Sequence, residues 1–274
     1  MFSRSELTAA WEGVVAHRRR TVGVPDMVGL EDRHAAFLRN ETLERLPVQR
    51  FPVLKAGGSG VRWLDIVDPH EEALYRAATA RVARTVEARL GSEVVANRVA
   101  DPSPKLHLET WRPARRRFRA AVGHLTGRDS VVVLADVRDC YASIEPHVVE
   151  SSLSALGCDR PAITALMEIL GRFWEGGVRG LPVGPEPSAV LANAVLSGVD
   201  RALAQEGWRH IRWVDDFVVA APDRAAAARI LERLGSALAE LSLEMAPEKS
   251  VTEEGPGVLS RVLRGPSGSM RRGG

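Results

Sequence analysis

The chain has 274 residues, 45% of them apolar and 26% charged, a composition that belongs to a folded globular protein and excludes disorder as its main theme. Two cysteines make no disulfide framework, MFSRSELTAAWEGVVAHRRR has no apolar leader core, and runs such as Val131 to Ala135 fall far short of a bilayer, so a cytoplasmic setting without a membrane partner is expected. The net charge of +2 hides a division: residues 1–135 carry 22 Lys/Arg against 16 Asp/Glu, and residues 136–274 carry 15 against 19, which directs polyanions to the first half and divalent cations to the second.

Ser5 and Glu6 open an apolar-periodic stretch that predicts a helix to about Arg20. FPVLKAGGSGVRWLDI, from Phe51 to Ile66, is two short apolar runs around a Gly-rich turn and reads as a hairpin. His70 to Leu90 returns to helical spacing, with Leu74, Ala77, Ala78, Val82, Val86 and Leu90 on one side. Trp111 to Leu125 is a further helix on which Arg112, Arg115, Arg116 and Arg119, at i, i+3, i+4 and i+7, line one face. Such a run is a solvated face or a track for a phosphate backbone.

SVVVLADV, residues 130–137, is a buried strand by its β-branched run. Helices opening at Pro146 and near Arg160 follow, and then the loop GGVRGLPVGPEP leads into an apolar helix from Ser188 to Leu203. IRWVDDFVVAA reads as two short strands with two aspartates between them, and Ala225 to Leu241 as a last helix. The order gives an α+β class without a linker that would separate domains. The tail GPSGSMRRGG is low in complexity and reads as flexible.

Asp136 ends an apolar strand, where a carboxylate raises its pKa or finds a cation. Asp215 and Asp216 pose the same problem 79 residues later, and the three meet only if their strands pair side by side. Taken singly, an Asp-Asp pair suits a plain turn and a strand-end Asp a helix cap. Brought together, they suit Mg2+, which takes oxygen ligands from carboxylates and substrate phosphates. No zinc spacing, Ser-His-Asp order or phosphate-cradling loop is present, and Cys140 reads as a packing residue.

DVRDCYASI (136–144), LPVGPEPSAVLANAVL (181–196), WVDD (213–216) and LSLEMAPEKS (241–250) resemble motifs A, B, C and D of reverse transcriptases, and VLKAGGSGVRWLDI resembles their fingers hairpin. The resemblance implies a right-hand polymerase: a helical extension over residues 1–50, fingers with part of the palm over 51–129, a palm over 130–257, and a primer-grip remnant with a flexible tail over 258–274. It implies two Mg2+ ions, or Mn2+, at Asp136, the backbone of Val137, Asp215 and Asp216, with Lys249 protonating the pyrophosphate leaving group. Lys55 and Arg62 would hold the triphosphate, Tyr141 would lie under the incoming sugar and exclude a 2′-hydroxyl, and Gly184 and Ser188 would border the nucleotide, with Asn193 on the same helix.

Trp213 stands where the family has tyrosine or phenylalanine and would pack against the primer end; Val183 replaces a common glutamine. Arg112, Arg115, Arg116 and Arg119 would follow nucleic acid. Asp139, three residues past Asp136 in a turn, stays outside the site. The implied partners are an RNA template, a DNA or RNA primer and dNTPs.

Only 24 residues follow Ser250, so the thumb is expected to be absent or rudimentary: either it is supplied by further chain, an accessory protein or self-association, or synthesis is short and weakly processive. The stretch VVANRVADPSPKLHLETWRPARRRFRAAVGHL looks like that of prokaryotic defence-associated, abortive-infection type members, which implies an antiphage role. Two alternatives stay open: a palm-fold polymerase using ribonucleotides or extending ends without a template, and an idle palm that serves as a nucleic-acid or protein scaffold.

Overall fold

The computed structural model describes residues 2–20, 46–54, 60–126, 131–254 and 260. Helix α1 (Arg4–Arg20) starts one residue before the expected Ser5 because Ser3 caps it: the Ser3 amide donates to Glu6 Oε2 at 2.7 Å and the Glu6 amide to Ser3 Oγ at 3.3 Å. Strands β1 (Gln49–Leu54) and β2 (Val61–Ile66) form the expected hairpin, in register from Gln49↔Ile66 to Leu54↔Val61. β1 thus begins two residues before the expected boundary at 51. Lys55 lies outside the described residues, as do the proposed grip and tail from 258 onward apart from residue 260.

Helix α2 (Pro69–Arg89) is capped by Asp68, whose carboxylate accepts from the His70 amide at 2.8 Å, with Pro69 in the first turn where its missing N–H costs nothing. A short ribbon, β3 (Val99–Asp101) with β4 (His107–Leu108), leads to α3 (Trp111–Leu125). Strand β5 (Val131–Asp136) is followed by the four-residue α4 (Cys140–Ser143), then α5 (Pro146–Ala155) and α6 (Arg160–Glu175), the last capped by Asp159. Helix α7 (Glu186–Gln205) begins two residues before the expected Ser188, because Pro187 fits its first turn. Strands β6 (His210–Trp213) and β7 (Asp216–Ala221), helix α8 (Arg224–Ala239) and strand β8 (Val251–Glu253) complete the described chain.

A four-stranded antiparallel sheet in the order β6-β7-β5-β8 carries the core. All six residues of β5 are buried, which accounts for its unbroken apolar run: both faces of the strand are covered. Val131, Val133, Ala135, Phe217 and Val219 join the large core shared with α5, α6, α7 and α8. Val132, Leu134 and Val218 face the other way and meet Phe118, Val122 and Leu125 of α3. Helices segregated on an antiparallel sheet make the fold α+β, as expected. Helix α7 is buried nearly all round, which is why its sequence is apolar without a polar face.

Candidate active site

The register of β5 with β7 places Asp136 directly opposite Asp216, and Trp213 opposite Asp216 across the β6–β7 turn, with Asp215 in that turn. Asp136 and Asp216 are buried, while Asp215 is partly exposed. Side chains alternate along both strands, so Asp136 and Asp216 share the face that packs on α3. Burial first, and the charge of Asp136 second, push the Asp215 carboxyl up to about 6. Burial and the charges of Asp215 and Asp136 push Asp216 well above the usual carboxylate range.

Lys249 reaches this cluster, its Nζ 2.8 Å from Asp136 Oδ1. It does so because the segment ahead of it is stitched to the end of β5: the Ala246 amide donates to the Asp136 carbonyl at 2.8 Å, and the Arg138 amide to the Glu244 carbonyl at 2.8 Å. Those two bonds flank the Val137–Met245 bridge, so the Val137 carbonyl stays outside it. Burial works against the Lys249 ammonium, but the hydrogen bond and charge of Asp136, with Asp215 and Asp216 behind it, hold its pKa above the ordinary value.

Arg62 is exposed on β2 and its charge acts on both Asp215 and Tyr141. Tyr141 leans on the large core, half-buried, and burial drives its phenol upward. The Tyr141 carbonyl accepts from the Leu181 amide at 2.8 Å, so the loop before α7 hangs on the same residue. Gly180 is required at that contact: its φ is +64° and a Cβ there would stand 2.3 Å from the Tyr141 carbonyl oxygen. Asp139 is exposed at the head of α4 with φ +42°, and Cys140 beside it in sequence is buried.

Several expected contacts take another form. Ser188 is fully buried, with its hydroxyl 3.1 Å from the Tyr75 hydroxyl, so it belongs to the packing between α2 and α7 rather than to an open nucleotide surface. Gly184, φ +132°, sits in the loop pinned to β2: the Asp65 amide donates to the Val183 carbonyl and the Val183 amide to Asp65 Oδ2, each at 2.8 Å. Trp213 packs edge-on against Phe118, ring centroids 5.4 Å apart, with the Arg115 guanidinium 5.6 Å above its ring. Arg115 is thereby half-buried at the margin of the Ala114, Phe118, Val122, Leu125 stripe, within the field of Asp216, while Arg112, Arg116 and Arg119 are exposed. The i, i+3, i+4 spacing was met, but the apolar stripe draws one of the four arginines inward.

Behind the aspartate turn lies a buried polar group that the sequence motifs do not single out. Arg212, wholly buried, donates from Nε and Nη2 to the Asp200 carboxylate and from Nη1 to Asn193 Oδ1 and to the Val214 carbonyl, both at 2.8 Å. Asn193 in turn donates to the carbonyls of Ala96 and Asn97. The one signal for it was an arginine at an inward-facing position of strand β6, where a charge demands a partner.

Among the described residues, no three His, Cys, Asp or Glu side chains stand in a ready cage for a metal ion. In the expected set of Asp136, Val137, Asp215 and Asp216, the Asp136 Oδ1 atom is partnered by Lys249 Nζ at 2.8 Å. The chemistry of the donors nevertheless fits a divalent cation. Three carboxylates face one ammonium, all donors are hard oxygens, and two carboxylates already resist ionisation beside one another.

The family model described as reverse transcriptase (RNA-dependent DNA polymerase) matches residues 75–257, a span that holds all three aspartates and Lys249. The chain belongs to this family, a family of nucleotidyltransferases. Among solved structures, one of telomerase from Candida albicans in complex with a TWJ fragment of telomeric RNA is similar, with a TM-score of 0.49 and 14% identity over 77% of this chain and 42% of that one. The chain therefore spans less than half the length of that neighbour. A search of curated proteins finds no match. Among the described residues, no helix is long and apolar enough to cross a membrane.

Proposed function

We propose that this chain adds deoxynucleotides to the 3′ end of a primer on an RNA template, with the hairpin acting as fingers, the sheet and its helices as palm, and divalent metal, Mg2+ or Mn2+, at the aspartates. The observation that carries the reading is the register that sets Asp136 against Asp216 with Asp215 in the adjoining turn. Asp136, Asp215 and Asp216 would hold the ions, which when bound stabilise the attacking and leaving oxygens of the in-line displacement.

The remaining work falls to the chain's own groups. Lys249 holds a proton at Nζ next to Asp136, where release from that carboxylate frees it to protonate the departing pyrophosphate. Arg62, close enough to act on Asp215, offers a guanidinium to the triphosphate. Tyr141, which feels the charge of Asp215, would narrow the space under the sugar and so favour deoxynucleotides over ribonucleotides. The exposed Arg112, Arg116 and Arg119 give a polyanion a surface on the helix that backs the site.

Asp215→Asn tests the reading. It removes one carboxylate from a site that already carries too many, so thermal unfolding should stay near wild type while labelled dNTP incorporation on an RNA-templated primer drops by at least about 1,000-fold. Equal incorporation by the two proteins would reject the assignment. The biological setting that fits the stretch ahead of β5 is defence against phage. Expression should lower phage plating in a host, and Asp215→Asn should abolish that protection.

A further inference from the structure

The turn that carries the aspartates is strained. Val214 has φ +59°, a conformation that β-branched residues avoid, in a two-residue connection between Trp213 and Asp216 where glycine is the usual occupant. Such a conformation persists only where surrounding groups over-determine it.

Arg212 is the group that does so. Its backbone is fixed on both sides, the amide donating to the Glu93 carbonyl at 2.8 Å and the carbonyl accepting from the Val95 amide at 3.1 Å, as a parallel bridge to Val94. Its guanidinium lies over the Phe217 ring and grips Asp200, with Nη2 at 2.7 Å from Oδ2 and Nε at 3.0 Å from Oδ1. His210 Nε2 sits 3.1 Å from the same Asp200 oxygen, Oδ1. With the fork anchored at that end, Nη1 is left to reach Asn193 Oδ1 and the Val214 carbonyl. The planar guanidinium thus spans from the central helix α7 to the strained residue next to Asp215, a reach that a single point charge does not reproduce.

We infer that Arg212 is a positioning residue for catalysis: by holding the Val214 carbonyl from beneath, it keeps the turn in the shape that presents Asp215 and Asp216 to the metal and nucleotide. The inference rests on the polymerase reading above and adds a residue that touches no substrate. It also accounts for a buried charge that stability alone does not call for, since apolar replacement of a buried ion pair is often neutral or stabilising.

The test is a double-mutant cycle between Arg212→Lys and Val214→Gly. Lysine keeps a charge against Asp200 but loses the fork. Glycine adopts φ near +60° without strain and needs no support. Arg212→Lys should lower kcat for dNTP addition at least about tenfold with KM for the dNTP within about twofold, and should weaken Mn2+ binding, read by the spin signal of free Mn2+ without nucleotide. In the double variant both quantities should return to within about twofold of Val214→Gly alone. A purely structural Arg212 predicts additivity: the double variant would fall below Val214→Gly by the same factor as Arg212→Lys falls below wild type, and that result overturns the inference.

If Arg212→Lys does not fold, Arg212→Gln with Asp200→Asn, which leaves no buried charge unpaired, takes its place in the same cycle with the same two outcomes. Failure here is distinct from failure of the polymerase reading. In the first case wild type extends primers and the cycle is additive. A wild type that extends nothing overturns the reading and the part given to Arg212 within it.

Discussion

Tyr141 presents a half-buried ring in the same electrostatic neighbourhood as Asp215 and Arg62, and it is anchored through its carbonyl to the loop before α7. The ring is thus set by backbone contacts, and its truncation removes bulk without disturbing the loop's hydrogen bond. Tyr141→Ala should therefore reduce the preference for dGTP over GTP, measured as the ratio of kcat/KM values, by about 10- to 100-fold, the range that a pocket contact of this size supplies. An unchanged ratio would remove the sugar-gate role. Lys249 shows a second feature of this scale, because its partner in the described structure is a carboxylate that metal would claim. In the proposed mechanism, binding of a cation at Asp136 and release of the ammonium for proton transfer would be linked events.

At the scale of elements, α1 is tied to the start of α7. Arg18 donates to Glu72 Oε2 at 2.7 Å and to the Val67 carbonyl at 2.8 Å, and the buried Arg76 donates to Glu186 Oε2 at 2.9 Å, with His17 at 3.7 Å and Arg20 at 3.8 Å from the same carboxylate. Burial favours the neutral form of Glu186, but His17 and the charge of Arg76 outweigh it and hold the carboxyl at about 2. That is below the ordinary value, so the ionised form stabilises the fold. The contribution is complete above the unfolded pKa and is lost as pH falls from about 4.5 through about 2. Its size is about 3 kcal/mol at neutral pH. Urea unfolding of wild type and Glu186→Gln should differ by that much at pH 7 and converge towards pH 2.5; a gap that ignores pH would show that Glu186 is not the link. Since Glu186 lies two residues past Gly184, the same contact holds the loop pinned to Asp65.

Over the whole molecule, the first half of the chain carries the basic excess and the second half the aspartates, and α3 brings the two into contact through Arg115 and Trp213. Arg112, Arg116 and Arg119 remain exposed on that helix. If they meet phosphates, replacing all three by alanine should lower the slope of log affinity against log salt by about 2 to 3 for a primer–template, and weaken binding evenly across sequences. A slope equal to that of wild type would return the arginines to the status of a solvated face.

Much of this was legible in the order of residues. The strand through Asp136, the hairpin over 51–66, the apolar helix after 186 and the aspartate turn all carry local signals: β-branched runs, Gly-rich turns, proline and aspartate at helix starts. The need for partners was legible too, because three carboxylates in apolar segments require them wherever they lie. Registry was not. That Asp136 opposes Asp216, that Lys249 lands on Asp136, that Ser188 turns to Tyr75 and that Arg115 folds over Trp213 are outcomes of long-range pairing and of which face each helix buries. Arg212 is the clearest case. An arginine in a strand carries no local hint of Asp200, Asn193 or the Val214 carbonyl, because its partners come from α7 and from its own turn only once packing removes water and makes every buried donor find an acceptor.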